Sequence, residues 1–419
     1  MKHLLGQLGK ELRATTGGLP GTFWYLWTGT LVNRLGAFVA PFLALYLTLE
    51  RGFREEEAGL VVSLHGAGSV VAGLVGGMLA DRVGRRKTLL AGLWLGAASM
   101  VGLGLSRTTW QICVMAFLLG LMGELYRPAV SAAIADVVRP EDRSRAYGLL
   151  YWVVNVGFAL SLPLAGLASH LGFLTLFLAD ACSSFLYGLI VWWKVPETRP
   201  AGTSRQKDAA LPLPSLAPFQ DPMFLTFAFP VLLTALLFSQ ATITLPLDLK
   251  SQGMSLRTFG LVMAVNGVFV VLLQPFAGRV MGGMRRASAL SLASLLTGVG
   301  FGLHVLGANA GLAALAVGVW SLGEIAQSPV ASAVVADLAP ADKRGTYQGA
   351  YYTLWALSAC LGPYIGSRIL GHHGPYALWG ACLATGLFAS GWHLAAAEAR
   401  RRRLHTPRLT QSEVSAALD

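Results

Sequence analysis

The chain has 419 residues, of which 54% are hydrophobic and 13% are charged, and its formal net charge is +11. A soluble globular protein has about 25% charged residues, so this composition excludes a set of water-soluble domains with polar surfaces. The basic residues occur as short clusters between apolar runs, a pattern that indicates membrane topology rather than a nucleic-acid-binding patch. The sequence therefore predicts an integral membrane protein that binds no nucleic acid.

Twelve apolar segments are each long enough to cross a hydrocarbon core, which requires about 20 helical residues. We number them spans 1 to 12, and they lie near residues 21–48, 57–80, 88–106, 110–138, 144–169, 173–194, 223–248, 257–281, 287–307, 310–339, 344–370 and 375–397. The residues before span 1 contain no separate apolar core, so we expect no cleaved signal peptide.

A stretch rich in proline, polar and charged residues follows span 6 and divides the chain into six spans and six. The predicted parts are an N-terminal tail, a first six-helix bundle, a linker, a second six-helix bundle and a basic tail, at 1–20, 21–194, 195–222, 223–397 and 398–419.

The distribution of Lys and Arg predicts the orientation of the spans. With the N-terminus in the cytoplasm, 24 of the 32 basic residues fall in cytoplasmic segments and six fall in outer segments. This asymmetry follows the positive-inside rule and agrees with an even number of spans. We therefore predict a multi-pass protein of the cell (inner) membrane with both termini in the cytoplasm.

Short motifs recur between the two halves with an offset of 200 residues. The copies are 123–124 and 323–324, 140–143 and 340–343, Tyr147 and Tyr347, and Tyr151 and Tyr351. Six spans separate the copies, so they have the same orientation, which makes this a parallel repeat with a binding site expected between the halves near the membrane midplane. The offset also predicts equivalent positions for Glu124 and Glu324.

The most specific local pattern joins spans 2 and 3 and reads GMLADRVGRRKTL over residues 77–89. Its glycines allow a tight turn and a close approach of helices. Asp81 can accept hydrogen bonds from nearby arginines or from a helix N-terminus. Such a turn can hold one packing of the two halves and release it in another, although a simple positive-inside turn with incidental charges is the alternative.

This run resembles the cytoplasmic signature of the major facilitator superfamily, and the resemblance extends over the spans, the linker and the repeat. It implies an all-α polytopic membrane protein with twelve transmembrane helices in two parallel-repeat six-helix bundles that work by alternating access. It also implies a cytoplasmic gate, and we place its residues at Gly77, Asp81, Arg82, Gly84, Arg85, Arg86 and Asp136. The second-half copy of the signature is degenerate, with Gly278 where Asp81 would be.

In its length, short loops and linker, the chain is most similar to the multidrug-efflux (drug:proton antiporter) branch of that family. Two branch features depart from the pattern, because the Gly-Pro motif of span 5 is better formed in span 11 and Ala116 replaces an arginine expected in span 4. The resemblance implies a monomer that exports small amphipathic or drug-like molecules in exchange for protons, with the substrate, protons and membrane lipids as its partners.

Two other functions stay open at this point. A proton-coupled importer of a nutrient or peptide would have the same fold, since a fold decides neither substrate nor direction. A membrane receptor or enzyme without transport would need a sensing domain or a catalytic constellation. The longest segment outside the membrane is the linker, which argues against the receptor or enzyme.

Charged residues inside apolar spans cost roughly 2.5–3.5 kcal/mol at the membrane centre and are therefore functional candidates. The candidates for proton coupling are Glu324, Glu124, Arg34, Arg127 and Asp180. Glu324 comes first, because its span contains no basic residue, whereas Glu124 has Arg127 three residues away on the same helix. A structural ion pair is the alternative role for Glu124, and a capping role near the outer face is the alternative for Asp180.

The resemblance places spans 1, 4, 7 and 10 around the substrate cavity. The polar cavity candidates on these spans are Asn33, Tyr126, Gln240 and Gln327. We also expect Arg34 to approach Glu324 from the facing half. The four cysteines lie in apolar runs without metal-ligand or disulfide spacing, and neither a P-loop nor a nucleophile triad occurs. We therefore predict no metal site, no cofactor and no enzymatic activity.

Overall fold

The structure is a computed structural model that describes residues 15–37, 39, 43, 46–168, 172–199, 216–242, 244–307 and 309–405. These residues form helices and contain no strand, and eight of their helices are long and apolar enough to span a membrane. The predicted all-α membrane fold is confirmed. The N-terminal tail to residue 14, the linker over residues 200–215 and the basic tail beyond residue 405 lie outside the described residues.

In the part of the chain that the structure describes, spans 1 to 6 contain seven α-helices, because span 4 is divided, and a short π-helix at Tyr46–Glu50. The helices are Gly21–Leu35, Glu55–Arg82, Arg85–Leu105, Thr109–Glu124, Tyr126–Val137, Arg143–Ala168 and Phe173–Lys194. The division of span 4 has a local cause. Pro128 lacks an N–H, and its ring crowds the carbonyl of the residue four positions earlier, Glu124, so the first helix of span 4 ends there. Glu124 therefore lies at a break in the helix.

Spans 7 to 12 follow the same plan, with a division in span 7 and a turn between spans 11 and 12. The helices are Pro222–Ser239, Thr244–Ser251, Leu256–Gly282, Arg286–Gly302, Ala310–Leu338 and Arg344–Ala395. Span 7 is divided between Ser239 and Thr244, and Pro246 lies in the first turn of its second helix, where a missing N–H removes no intrahelical hydrogen bond. Gly374 has φ 79°, a left-handed value that favours glycine, and the chain turns at this residue between span 11 and span 12.

The helix starts correct the register of the internal repeat. The paired helices begin at Thr109 and Ala310, and at Arg143 and Arg344, each 201 residues apart. Side-chain bonds agree with this register. Tyr147 donates to the carbonyl of Ser131 at 2.7 Å, and Gln348 donates to the carbonyl of Ser332 at 3.1 Å. The predicted offset of 200 is therefore wrong by one residue along spans 4, 5, 10 and 11.

The corrected register separates the two membrane carboxylates. Glu324 corresponds to Gly123, and Glu124 corresponds to Ile325. One residue along an α-helix is a rotation of about 100°, so Glu124 and Glu324 face different surroundings. The Gly-Glu dipeptides at 123–124 and 323–324 are therefore not equivalent positions of the repeat. Helix caps and prolines, rather than this dipeptide, set the register.

At the end of span 12, the first arginine of the basic cluster 400–403 is buried rather than exposed. Arg400 is buried, and its guanidinium donates to the carbonyl of His393 at 2.6 Å. It therefore caps the end of span 12 instead of facing lipid headgroups. Arg401 and Arg402 are exposed, and they remain available for anionic lipid.

Candidate functional site

At the predicted cytoplasmic face, Asp81 joins the two halves. Its carboxylate, at the end of span 2, accepts hydrogen bonds from the backbone N–H groups of Gly345 at 2.8 Å and Thr346 at 2.6 Å. The Thr346 hydroxyl donates to it as well, at 2.6 Å. Gly345 and Thr346 lie in the first turn of span 11, so Asp81 binds a helix N-terminus of the other half. A carboxylate is stabilised in this position by the orphan N–H groups and the helix dipole.

Arg85 and Asp136 extend this contact into a closed network. Arg85 pairs with Asp81 at 2.9 Å and with Asp136 at 3.0 Å. Asp136, at the end of span 4, also binds Arg344 at 2.7 Å. Arg344 directly precedes Gly345, so Asp81 and Asp136 both contact the first turn of span 11. The side chain of Arg85 is only 1% exposed, so these two carboxylates, rather than water, compensate its positive charge.

A second cross-half network uses residues that we did not single out from the sequence. Arg143, at the start of span 5, binds Asp337, at the end of span 10, at 2.7 Å. Arg286, at the start of span 9, approaches the other oxygen of Asp337 at 3.7 Å and donates to the hydroxyl of Ser144. The internal repeat could have indicated this pair. Under the corrected offset of 201 residues, Asp337 is equivalent to Asp136 and Arg143 is equivalent to Arg344.

Glycines bring the backbones of the two halves into contact beside these networks. A Cβ atom on Gly77 would lie 2.9 Å from the carbonyl carbon of Gly345. A Cβ atom on Gly278 would lie 2.7 Å from the Cα of Arg145. Spans 2 and 11, and spans 8 and 5, therefore pack as closely as helices can. This packing closes the predicted cytoplasmic face.

The remaining gate candidates contact the start of the linker rather than the other half. Gly84 has φ 115° and precedes span 3. The Glu197 carboxylate accepts from the backbone N–H groups of Arg85 at 2.8 Å and Arg86 at 3.3 Å, and so caps span 3. The carbonyl of Arg82 accepts from the side chain of Arg199. Glu197 was not among the residues predicted from the sequence, because it lies 112 positions from Arg85 along the chain.

A central cavity lies between the halves. Its lining comes from spans 1, 4, 5, 10 and 11, at Thr30, Arg34, Tyr126, Arg127, Val130, Tyr147, Leu150, Tyr151, Val154, Ser328, Ser332 and Tyr352. Spans 1, 4 and 10 take part as the family resemblance implied. Span 7 contributes none of these residues, whereas spans 5 and 11 do.

Glu324 lies directly behind the wall of the central cavity. It is in the middle of the 29-residue helix of span 10. Its carboxylate accepts from the hydroxyl of Tyr151, on span 5 of the other half, and from the amide of Asn266, on span 8, at 2.8 Å. Tyr151 itself lines the cavity. One half-buried carboxylate thus connects a cavity residue with both halves of the protein.

Glu124 faces a second cavity, which lies inside the first half. Its carboxylate pairs with Arg127 at 2.6 Å. Residues of spans 1, 2, 3, 4 and 6 line this cavity, including His65 and Asp180. Asp180 is buried and accepts from the backbone N–H of Val39 at 3.0 Å.

Arg34 and Tyr126 separate the two cavities, since both side chains line each of them. The guanidinium of Arg34 donates to the Tyr126 hydroxyl at 2.7 Å, and that hydroxyl donates to Asn33 at 3.0 Å. The structure thus brings Asn33, Arg34 and Tyr126 together. It does not bring Arg34 to Glu324.

The two glutamine candidates lie outside both cavities. Gln240 is buried at the break in span 7, where its amide donates to the carbonyl of Gly362 at 3.0 Å. Gln327 is buried next to the cavity residue Ser328. Among the described residues, no group of three or more His, Cys, Asp or Glu side chains could hold a metal ion.

The family model described as Major Facilitator Superfamily matches residues 26–363 and 231–412. The uncharacterised MFS-type transporter YttB of Bacillus subtilis is 28% identical over 372 residues, which cover 86% of this chain and 91% of YttB. The multidrug resistance protein MdtH of Escherichia coli is 24% identical over 409 residues, covering 91% and 96%. The Na(+), Li(+), K(+)/H(+) antiporter of Planococcus maritimus is 26% identical over 363 residues, covering 78% and 84%.

Solved structures share the fold. The human organic anion transporter MFSD10 superimposes with a TM-score of 0.73 at 19% identity, covering 89% of this chain and 100% of MFSD10. A bacterial homologue of the iron transporter ferroportin, in its outward-facing state, gives 0.74 at 16% identity, covering 90% and 100%. With the family model matched over most of its length, the chain belongs to the major facilitator superfamily of membrane transporters.

Proposed function

We propose that this protein is a proton-coupled exporter of small amphipathic molecules, with Glu324 as the residue that carries the proton. It works as a monomer in the cell (inner) membrane with both termini in the cytoplasm. The proposal rests mainly on one observation, the position of the Glu324 carboxylate between the two halves and directly behind the cavity wall.

The contacts at the predicted cytoplasmic face support alternating access. The Asp81 and Asp337 networks hold the halves together there. In a bistable carrier, such contacts belong to one state and must break in the other. The structure therefore represents a state that is closed on this side, and loading from the cytoplasm requires both networks to separate.

Glu324 offers a direct connection between proton binding and this movement. The ionised carboxylate accepts from Tyr151 of the first half, and protonation removes the charge that makes this hydrogen bond strong. Protonation of Glu324 therefore weakens a contact between the halves. A buried ionisable residue inside a membrane span is also expensive to keep unless it has a function.

Two relatives support exchange with protons and export. One is named as an antiporter of monovalent cations and protons, and another as a multidrug resistance protein. A protein that confers drug resistance as a transporter moves its substrate out of the cell. We assign the same direction to this chain.

Gradient-driven uptake into proteoliposomes tests the role of Glu324. We expect Glu324→Gln, which mimics the protonated side chain, to lose accumulation driven by a pH gradient at least tenfold while it retains substrate binding. Glu398→Gln is the matched control, because Glu398 is exposed after span 12. If Glu324→Gln concentrates substrate with an unchanged pH profile, the assignment is wrong and Glu124 or Asp180 is the next candidate.

A further inference from the structure

We propose that the substrates are amphipathic organic anions, with a carboxylate, sulfonate or similar acidic group that binds Arg34 and an aromatic or apolar body that lies among the cavity tyrosines. This inference deepens the proposed function, because it names the chemical class that the central cavity accepts. It is carried by the balance of charge around that cavity.

The charged residues that line the central cavity are both arginines. They are Arg34 and Arg127, and no Asp or Glu occurs in the lining among the described residues. Arg127 is neutralised by Glu124, which pairs with it at 2.6 Å from the side of the second cavity. Arg34 has no carboxylate within 4 Å in the part of the chain that the structure describes. The cavity therefore presents one uncompensated positive charge.

The guanidinium of Arg34 is held in place with hydrogen-bonding capacity to spare. Its one hydrogen bond to a described residue goes to the Tyr126 hydroxyl, at 2.7 Å, and Tyr126 is fixed in turn by Asn33. Its Nε–H is buried and has no partner among the described residues. A planar guanidinium with free donors is suited to bind a carboxylate or sulfonate through two parallel hydrogen bonds.

The position of Arg34 is determined by the backbone as well. Gly157 of span 5 lies against it, and a Cβ atom on Gly157 would collide with the Cβ of Arg34. Span 1 therefore meets span 5 at Arg34, which keeps the side chain at the level of the cavity. A cation without a counter-charge is unfavourable inside a membrane span, and a bound anion supplies that counter-charge.

Glu324 does not neutralise Arg34 in this state. Its carboxylate is occupied by Tyr151 and Asn266, and it lies behind the lining rather than in it. The remaining wall suits the body of an amphipathic molecule. Four tyrosines and three aliphatic side chains form most of it, at Tyr126, Tyr147, Tyr151, Tyr352, Val130, Leu150 and Val154, and the hydroxyl side chains of Thr30, Ser328 and Ser332 complete it. Rings and aliphatic groups of this kind bind flat apolar ligands.

Equilibrium dialysis of the purified full-length protein against two matched probes tests the inference. Naphthalene-2-sulfonate and 2-naphthyltrimethylammonium share one aromatic body and carry opposite charges. We expect the sulfonate to bind about tenfold or more tightly than the ammonium compound, as a charge-assisted hydrogen-bond pair allows. Equal binding of the two, or tighter binding of the ammonium compound, would overturn the proposal.

Variants of Arg34 locate the charge that selects the anion. Arg34→Gln should lose the preference for the sulfonate, and Arg34→Lys should retain most of it. Tyr126→Phe is the control, since it removes the hydrogen-bond partner of Arg34 but keeps the charge. If Arg34→Gln retains the full preference, Arg34 does not bind the acidic group. If the glutamine variant does not fold, the comparison of the two probes on the wild-type protein still decides whether the cavity selects anions.

The binding measurement is independent of the proposed direction and coupling, because it uses no gradient. Anion selectivity without proton-driven export leaves this inference standing and removes the proposed function. Proton-driven export of the ammonium probe with no binding of the sulfonate would support the proposed function and overturn this inference. In exchange of one proton for one monovalent anion, each cycle moves two positive charges inward, so an inside-negative potential should accelerate export of the sulfonate.

Discussion

Arg143 on span 5 and Asp337 on span 10 form an ion pair at 2.7 Å across the two halves. Arg344 and Asp136 form the equivalent pair at 2.7 Å with the halves exchanged. Both partners shift by the same 201 residues, so the pairs are related by the internal repeat. The predicted cytoplasmic face is therefore closed by two equivalent contacts, one on each side of the pseudo-two-fold axis.

Exchange of the charges tests whether the Arg143–Asp337 pair stabilises the closed state. Asp337→Arg alone places a third cation beside Arg143 and Arg286 and should open this face. Arg143→Asp combined with Asp337→Arg should restore closure. The distance between spin labels on the exposed residues 139 and 285, one in each half, reports the state. A double variant that is as open as the single variant would show that the pair has no specific role.

Removal of one partner from a buried ion pair typically costs about 3–5 kcal/mol. Asp81→Asn keeps the shape of the side chain but removes its charge beside the buried Arg85. We expect a folded protein with a larger open population at this face and slower transport. Arg82→Gln is the control, because its side chain is exposed in the same loop. If Asp81→Asn transports at the wild-type rate, the loop has no gating role and its basic residues only determine the orientation of the spans.

The contact between spans 2 and 11 predicts that transport is sensitive to an alanine substitution at one glycine of span 2 and insensitive to it at another. Gly77→Ala places a methyl group against the backbone of Gly345, so the helices must separate. Gly66 lies on the same helix, and a Cβ atom there would meet nothing within 4 Å. We expect Gly77→Ala to lower transport severalfold and Gly66→Ala to leave it unchanged. Equal effects of the two substitutions would contradict the close packing.

The membrane fold could be predicted from the sequence because hydropathy and turn composition are local properties. The helices begin close to the predicted bounds, as in Phe173–Lys194 for the sixth span. The divisions of spans 4 and 7 were less evident, although Pro128 explains the division of span 4 by its effect on the carbonyl four residues earlier.

The candidate site was harder to predict, because its partners are distant in sequence. The sequence placed Glu324 inside an apolar span, but neither Tyr151 nor Asn266 could be named as its partners before the halves were packed. The assumed pairing of Glu124 with Glu324 failed for a physical reason. One residue rotates a helix position by about 100°, and a motif of two letters cannot fix a register that precisely.

The orientation of the spans gives a prediction that does not depend on transport. Single cysteines in the linker, at position 205, and after span 12, at position 401, should be inaccessible to an impermeant maleimide added outside intact cells. The background is a variant without the four native cysteines. A cysteine at position 54, in the outer loop before span 2, should be labelled. Labelling of 205 or 401 in sealed cells would reverse the predicted topology.

Proton movement caused by substrate is the most direct test of proton-coupled export. Proteoliposomes containing the wild-type protein and an internal pH-sensitive dye are supplied with a panel of cationic dyes, drugs and naphthalene-2-sulfonate. We predict that at least one substrate entering the vesicles through the protein drives protons out, so that the lumen becomes alkaline, and that Glu324→Gln abolishes this change. Saturable substrate movement with no change in internal pH, or with protons moving in the same direction as the substrate, would contradict the account.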